Sequence, residues 1–232
     1  MKIMSFNTQH CLNYVTRKID FEIMAKTILD QGADIVGLNE MRGIGVDPEY
    51  TAQTEELARL TKMEHYFFAP AINPENEGLY GNAFLSKIPI LNAEIVMIPD
   101  PNPRRFVHCY ETRCILKAQL EGGITVLVTH FGLNSDEQEN AVKTVLEHIK
   151  PEKCILLGDF NVEPDSELLT LVREKMVDTA KFFDEPKLSF PSDNPQIKID
   201  YIFVSPDIEV VSADIPFIVA SDHRPHTANV KI

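Results

Sequence analysis

Eight polar residues in this sequence stand where side chains can meet. Asn7, Glu40, His130, Asp159, Asn161, Asp222 and His223 lie at or just past the ends of apolar, strand-like runs, and Asp200 lies inside one. Strand ends gathered on one edge of a sheet make a pocket. The most specific segment is Gly158-Asp159-Phe160-Asn161. Positions i and i+2 leaving a strand point the same way, so a carboxylate and a neutral amide face one centre while Phe160 turns back into the core. That pair suits activation of water by Asp159 and binding of a phosphate oxygen by Asn161. The competing reading is an Asx turn that opens a helix near Pro164.

Ser221-Asp222-His223 precedes a short final strand. Neighbours in an extended chain project to opposite sides, so Asp222 and His223 are expected to serve different partners. Asp200, within Lys198-Ile199-Asp200-Tyr201-Ile202, is flanked by apolar residues, where a carboxylate is costly unless paired. Pairing Asp200 with His223 resolves both features, because the carboxylate would hold the imidazole in one tautomer and raise its pKa. Any one of these residues alone reads equally well as a solvated turn former. Their joint placement is what points to chemistry.

The elements that must position them follow from periodicity. Lys2 to Phe6 and Ala33 to Leu38 read as strands around a helix from Ile19 to Asp30, which Gln31-Gly32 closes. Thr51 to Lys62 suits a second helix, followed by strands at Glu64 to Ala69, Tyr80 to Ser86 and Ile88 to Ile98. Alternate prolines keep the segment from Pro99 to Arg105 irregular. Arg113 to Leu120 and Ile124 to Thr129 form a hairpin across Gly122-Gly123. Asp136 to Ile149 and Asp165 to Lys175 are helical, with a buried strand from Cys154 to Leu157 between them. Strands at Ile199 to Val204, Ile208 to Val211 and His226 to Ile232 end the chain. Hairpins mixed with strand–helix–strand units predict a layered α/β fold, and the 232 residues are expected to form one domain.

With 35 acidic and 22 basic side chains the formal net charge is −13. Such a surface repels the phosphate backbone of a long polynucleotide, so nucleic acid is not the expected partner. No apolar run approaches the ~20 residues of a membrane span, no signal core follows Met1, and a cytoplasmic location is expected. The four cysteines, Cys11, Cys109, Cys114 and Cys154, form no CxxC pair and read as free thiols.

Asn7 in Ser-Phe-Asn, Glu40 in Gly-Leu-Asn-Glu, Gly81-Asn82-Ala83, Thr129-His130, Gly158-Asp159-Phe160-Asn161, Ile199-Asp200-Tyr201 and Ser221-Asp222-His223 together resemble, in order, the endonuclease/exonuclease/phosphatase superfamily. The resemblance implies a four-layer α/β/β/α sandwich of two mainly antiparallel sheets flanked by helices, with Mg²⁺, or Mn²⁺ in its place, at the sheet edges. By matching position, Glu40 would be the principal metal ligand, with Asn7 and Asp222 in support. Asp159 would orient or deprotonate the attacking water, and Asn161 would bind the phosphate. His223, held by Asp200, would stabilise the transferring group, and His130 would contact the phosphate or protonate the leaving oxygen. Hard oxygen ligands suit these ions better than Zn²⁺.

One departure bears on activity. Nucleases of the superfamily often carry an acidic residue two places after the N-terminal Asn, where this chain has Gln9. The expected reaction is therefore Mg²⁺-dependent hydrolysis of a small phosphoester, with a nuclease of the same fold as the alternative and a catalytically silent binding module behind both. Tyr80 and Arg113 are candidate substrate contacts; Arg42, Arg104, Arg105 and Arg224 are further cations read mainly as solvated surface, with Arg224, like Arg113, expected before the rest to be structural or near the site. Substrate identity is expected to lie in the loops 43–50, 70–78, 99–110 and 186–196.

Overall fold

A computed structural model describes all 232 residues. The chain runs β1 (Lys2–Asn7), α1 (Phe21–Gln31), β2 (Ile35–Gly45), α2 (Gln53–Thr61), β3 (His65–Ile72), β4 (Gly78–Ser86), β5 (Ile90–Met97), β6 (Cys114–Leu120) and β7 (Thr125–His130). It continues through α3 (Ser135–His148), β8 (Cys154–Asp159), α4 (Glu167–Arg173), β9 (Val177–Asp178), β10 (Asp200–Val204), β11 (Glu209–Asp214) and β12 (His226–Lys231). Short 3₁₀ turns at Pro74–Asn76 and Thr179–Phe182 complete it.

Local chemistry sets the helix ends. Asp20 accepts a hydrogen bond from Ile23 N at 3.1 Å to open α1, and Gly32, at φ 63°, closes it. Asn134 and Glu137 form a reciprocal capping box at the start of α3. Gly122 and Gly123 turn the β6–β7 hairpin with φ of 84° and 80°.

The strands form two six-stranded sheets ordered β11-β12-β1-β2-β4-β3 and β5-β6-β7-β8-β10-β9. Adding six to each strand number maps the first order onto the second, with the count wrapping after β12. Each sheet is antiparallel apart from one parallel pair at its centre, β1 with β2 and β7 with β8, joined by α1 and α3 respectively. The two sheets stack on a shared core that includes Ile3, Ile35, Phe84, Leu116, Val128, Leu157 and Ile202. Alternate residues turn outward beneath helices: Met4, Val36 and Leu38 pack with Met24, Ile28 and Leu57 on one side. Leu127, Leu156 and Phe203 pack with Val145, Leu169 and Val172 on the other. Burial on both faces explains why these strands read as continuous apolar runs and not as alternating ones. The result is the α/β/β/α sandwich.

Polar side chains also cross the inter-sheet gap. Asn39 Nδ2, on β2, donates to Thr129 O of the other sheet at 2.9 Å and to Asn82 Oδ1 at 2.8 Å. Asn39 Oδ1 accepts from Asp159 N at 3.0 Å, and Asn82 Nδ2 donates to Cys114 O at 2.9 Å. Asn39 is fully buried and Asn82 is 3% exposed, so each bond replaces lost hydration. Gly158, at φ 145°, brings β8 against β7, where a Cβ would lie 1.8 Å from Thr129 O.

Several elements differ from the sequence expectation. β2 continues past Glu40 to Gly45 through a bulge between Leu38 and Met41, and β3 runs on to Ile72. Val177–Asp178 adds a two-residue edge strand. Asp200 is the first residue of β10 and not an interior one. All four cysteines are free, with only Cys109 exposed.

The Asn39–Asn82 clamp makes a testable claim about stability. Asn82→Ala removes two buried hydrogen bonds, to one N–H of the Asn39 amide and to Cys114 O, so it should destabilise the fold by about 2–4 kcal/mol. A urea titration should show a lower midpoint at unchanged slope. An unaltered midpoint would mean that the clamp does not hold the sheets.

Candidate active site

Register gathers the polar residues at one end of the sandwich. β1, β7 and β8 end on Asn7, His130 and Asp159. Parallel pairing sets Asn7 beside Asn39 and His130 beside Asp159, and antiparallel pairing sets Asp200 opposite Asp159. Glu40 follows Asn39 in the left-handed region, φ 61°, which swings its carboxylate away from the strand's alternation.

Asp159, 1% exposed, is the meeting point. Asn7 Nδ2 donates to Asp159 Oδ2 at 3.1 Å and to Glu40 Oε1 at 3.0 Å. His130 Nε2 and His223 Nε2 each lie 3.6 Å from Asp159 Oδ2. Asn161 N donates to Asp159 Oδ1 at 2.9 Å, so the Asx-type contact exists alongside the convergence on one centre. Phe160 is fully buried against Phe131, Tyr201 and Phe203.

His223 Nδ1 and Asp200 Oδ2 are 2.8 Å apart. Burial opposes a charge on His223, but the carboxylates of Asp200 and Asp159 outweigh it and push its pKa up to about 10. Burial lifts the Asp159 carboxyl to about 7, with His223 pulling it down and Asp200 pushing it up. His130 moves the other way: burial, then the charges of Arg113 and His223, hold it well below the ordinary histidine value. The pKa values of two imidazoles on one carboxylate are therefore pushed apart.

These groups open onto a cleft of about 780 Å³. Glu40, Glu111, Asp159, Glu163 and Asp222 line it, against one arginine, Arg113, and His223. Burial raises the pKa of Asp222 and of Glu111; the charge of Glu40 adds to both shifts, against the opposing effects of His223 and Arg113 respectively. Tyr80 also lines the cleft, its hydroxyl raised by burial first and by Glu40 next. Carboxylates gathered on a cleft fit a hard divalent cation, and Glu40 with Asp222 could hold one. Asn7 is fully buried and does not line the cleft; its Oδ1 accepts from Gln9 N at 3.1 Å, so it orients Glu40 and Asp159 through its amide nitrogen. Asp159, Asp200 and His223 also place ligand atoms within 4.8 Å of one another. That trio fits a cation less well, because His223 Nδ1 is engaged by Asp200, and the carboxylates of Asp200 and Asp159 push the ring's pKa up.

The eight residues singled out in the sequence thus come together, with Tyr80 and Arg113 on the cleft wall. Asp222 and His223 both line the cleft, although Asp222 bonds Ser221 Oγ and His223 bonds Asp200. The other arginines are engaged elsewhere: Arg42 and Arg105 on Glu49 and Glu139, Arg104 over Tyr110, Arg224 on Ser192 O. Of the loops expected to shape the cleft, 43–50, 70–78 and 99–110 contribute no lining residue and 186–196 contributes only Phe190. The walls come instead from Glu111, Leu133, Gln138 and the stretch around Val162, Glu163 and Ser166, which follow the cleft-facing ends of β7 and β8 or precede β6. Their one signal in the sequence was proximity to His130, Asp159 and Arg113.

Stacked sheets with outer helices place the chain in the α/β/β/α sandwich class. The Endonuclease/Exonuclease/phosphatase family profile matches residues 4–223, and the chain belongs to that family. Its members are hydrolases acting on phosphoester bonds. An endonuclease/exonuclease/phosphatase from Beutenbergia cavernae shares the fold at 20% identity and TM-score 0.80, over 100% of this chain and 71% of that one. A mannosyl-6-phosphatase from Bacteroides thetaiotaomicron is similar over 100% of both chains at 15% identity and TM-score 0.76. The human Nocturnin catalytic domain is similar over 100% of this chain and 94% of that one, at 19% identity and TM-score 0.72. No curated protein matches the sequence.

Behind the Asp200–His223 pair lies a buried lysine. Lys198, 4% exposed, donates from Nζ to Asp200 O at 2.8 Å and sits 3.2 Å from the Tyr201 ring centroid. Burial, against the pull of Asp178 and Asp200, lowers its pKa to about 7. The unfolded chain keeps this proton up to about 10.4. From pH 7 upward the unfolded state thus binds more protons than the folded one, and stability rises with pH. Lys198→Met should therefore gain stability relative to the natural chain near pH 7 and lose that advantage toward pH 10, by up to about 1.4 kcal/mol per unit. Denaturant midpoints for both proteins across this range check the slope; a difference independent of pH would refute it.

Proposed function

We propose that this chain hydrolyses a phosphoester of a small molecule by in-line attack of water, with a divalent cation, Mg²⁺ or Mn²⁺, held by Glu40 and Asp222. The convergence of Asn7, His130, His223 and the Asn161 backbone on the Asp159 carboxylate, at the floor of an acidic cleft, carries this reading. Residues 1–232 act as one catalytic unit, because the shared core draws on strands from both ends of the chain.

Asp159 is the only buried carboxylate that meets two imidazoles and an amide, so it orients the attacking water and takes its proton. His223 stays protonated against Asp200 and faces the transferring group with a charged N–H. Asn161 and His130 offer N–H donors to the phosphoryl oxygens. A bound divalent ion supplies charge that offsets what develops on those oxygens. No covalent enzyme intermediate is required.

The cleft favours a compact substrate. A polynucleotide needs several Lys or Arg along a groove, whereas Arg113 is the one arginine lining this cleft and the net charge is −13. A single phosphate placed among Asp159, Asn161 and His223 touches little of that surface. The mannosyl-6-phosphatase neighbour makes sugar phosphates a first choice for testing.

A panel of sugar phosphates, phosphodiesters, phospholipids and nicked or abasic duplexes, assayed with Mg²⁺ and with Mn²⁺, separates the readings. A small phosphoester should give the highest kcat/KM, EDTA should abolish turnover and added metal should restore it. Glu40→Gln should keep the fold and need far more metal. Full activity in EDTA would sink the metal assignment, and a duplex outperforming every small phosphoester would promote the nuclease alternative.

Within that reaction, Asp159→Asn and His223→Ala should each lower kcat by about a hundredfold or more without loss of folding. Asp200→Asn should be a milder version of the His223 variant, and the double variant should fall far from additivity because the two act as a unit. Near-normal turnover in either single variant would mean that the site is wrongly assigned.

A further inference from the structure

We propose that Arg113 is a positioning residue that fixes His130 as the neutral Nε2–H tautomer, so that this N–H and the Asn161 amide form a two-donor seat for a phosphoryl oxygen. The proposal rests on the phosphoester reading for its substrate and on geometry alone for its tautomer.

Arg113 Nη1 lies 3.1 Å from His130 Nδ1. A guanidinium has donors only and keeps its charge, so a bond at this distance requires a lone pair on Nδ1. The hydrogen of the neutral ring is then on Nε2. With the opposite tautomer, two hydrogens would face each other between these nitrogens, one of them on a cation. Glu111 keeps the guanidinium in place: Arg113 Nη1 donates to its Oε1 at 3.3 Å, and Nη2 lies 3.3 Å from its Oε2. His130 is 5% exposed and the Arg113 side chain 12%, which limits both to this arrangement. Burial and the neighbouring charges of Arg113 and His223 keep the ring neutral.

The other side of the ring then has a donor with no acceptor in reach. Asn161 Nδ2 lies 3.2 Å from His130 Nε2 and already donates to Phe131 O at 2.9 Å. Turning that amide round would set its oxygen against the Phe131 carbonyl, so Nδ2 stays where it is. Asp159 Oδ2, at 3.6 Å from Nε2, is beyond hydrogen-bond distance. Two N–H groups thus lie side by side, and an oxygen accepting from both relieves the contact. A phosphoryl oxygen has the charge and lone pairs to do so. A neutral imidazole has no dissociable proton for the leaving group at physiological pH, so His130 binds the transferring group and does not protonate the leaving oxygen.

The test is a long-range ¹H–¹⁵N spectrum of histidine-labelled protein, with the His130 signals assigned from H130N. The natural chain should show His130 as the Nε2–H tautomer, R113M a mixture of tautomers, and R113K a partial return. Inorganic phosphate should shift the His130 Nε2 and Asn161 side-chain signals in the natural chain, and less so in R113M. With a substrate in hand, R113M should lower kcat at least about tenfold with little change in KM, and R113K should recover part of it. An Nδ1–H tautomer in the natural chain overturns the proposal, as does an R113M spectrum with His130 unchanged. If R113M does not fold, the tautomer in the natural chain decides by itself. The spectrum needs no substrate, so a chain that turns over no phosphoester would fail the functional reading while the tautomer stands or falls separately.

Discussion

The amide of Asn39 is the interaction on which the rest of the site depends. It donates across the inter-sheet gap to Thr129 O and accepts from Asp159 N, so one side chain on β2 fixes the ends of both β7 and β8. Those ends carry His130 and Asp159, and the next residue along β2 is Glu40. A buried amide with every group satisfied tolerates little displacement, because sliding either sheet would break both of its bonds to the other and leave their donors and acceptors unpaired in an apolar core. The spacing between the carboxylates of Glu40 and Asp159, bridged by Asn7, follows from that lock.

Around this frame the charges form a gradient from the interior to the mouth. Deepest is the Asp200–His223 pair, with Lys198 bonded to the Asp200 carbonyl. Asp159 lies between two imidazoles whose pKa values are pushed in opposite directions, His223 up and His130 down. At the mouth Glu40, Asp222 and Glu111 face the cleft, where Glu40 pushes the other two toward protonation. Such an array is strained by its own charge, and a cation plus a phosphate is the kind of ligand pair that balances it.

Much of this was legible in the sequence because it depends on local pattern. The β6–β7 hairpin needs only apolar strands around Gly122-Gly123, and Gly158-Asp159-Phe160-Asn161 announces itself through one carboxylate, one amide and an aromatic residue between them. What was not legible depends on distant partners. Asn39 and Glu40 read as the end of β2, yet the strand goes on, because a bulge absorbs Glu40 and pairing with β4 resumes at Met41. Asn39 and Asn82 stand in segments that carry the family resemblance, but the sequence assigned them no role; their partners are backbone carbonyls of the opposite sheet. Substrate identity was expected in the loops 43–50, 70–78, 99–110 and 186–196, whereas the cleft is walled by short segments beside β6, β7 and β8, since the parallel register of β7 and β8 decides which connections face the cleft.

The sheet order has a consequence for how the molecule is made. β1 is hydrogen-bonded on one side to β2 and on the other to β12, so β1 waits for a strand made more than two hundred residues later. Until residues 226–231 arrive, one edge of β1 is an open row of donors and acceptors, and closing it links positions more than two hundred residues apart. The second sheet, built from β5 to β10, draws on a shorter contiguous stretch and can assemble first. The order of synthesis therefore leaves one edge of β1 unpaired until β12 is made, and an unpaired strand edge is a template for pairing with another chain.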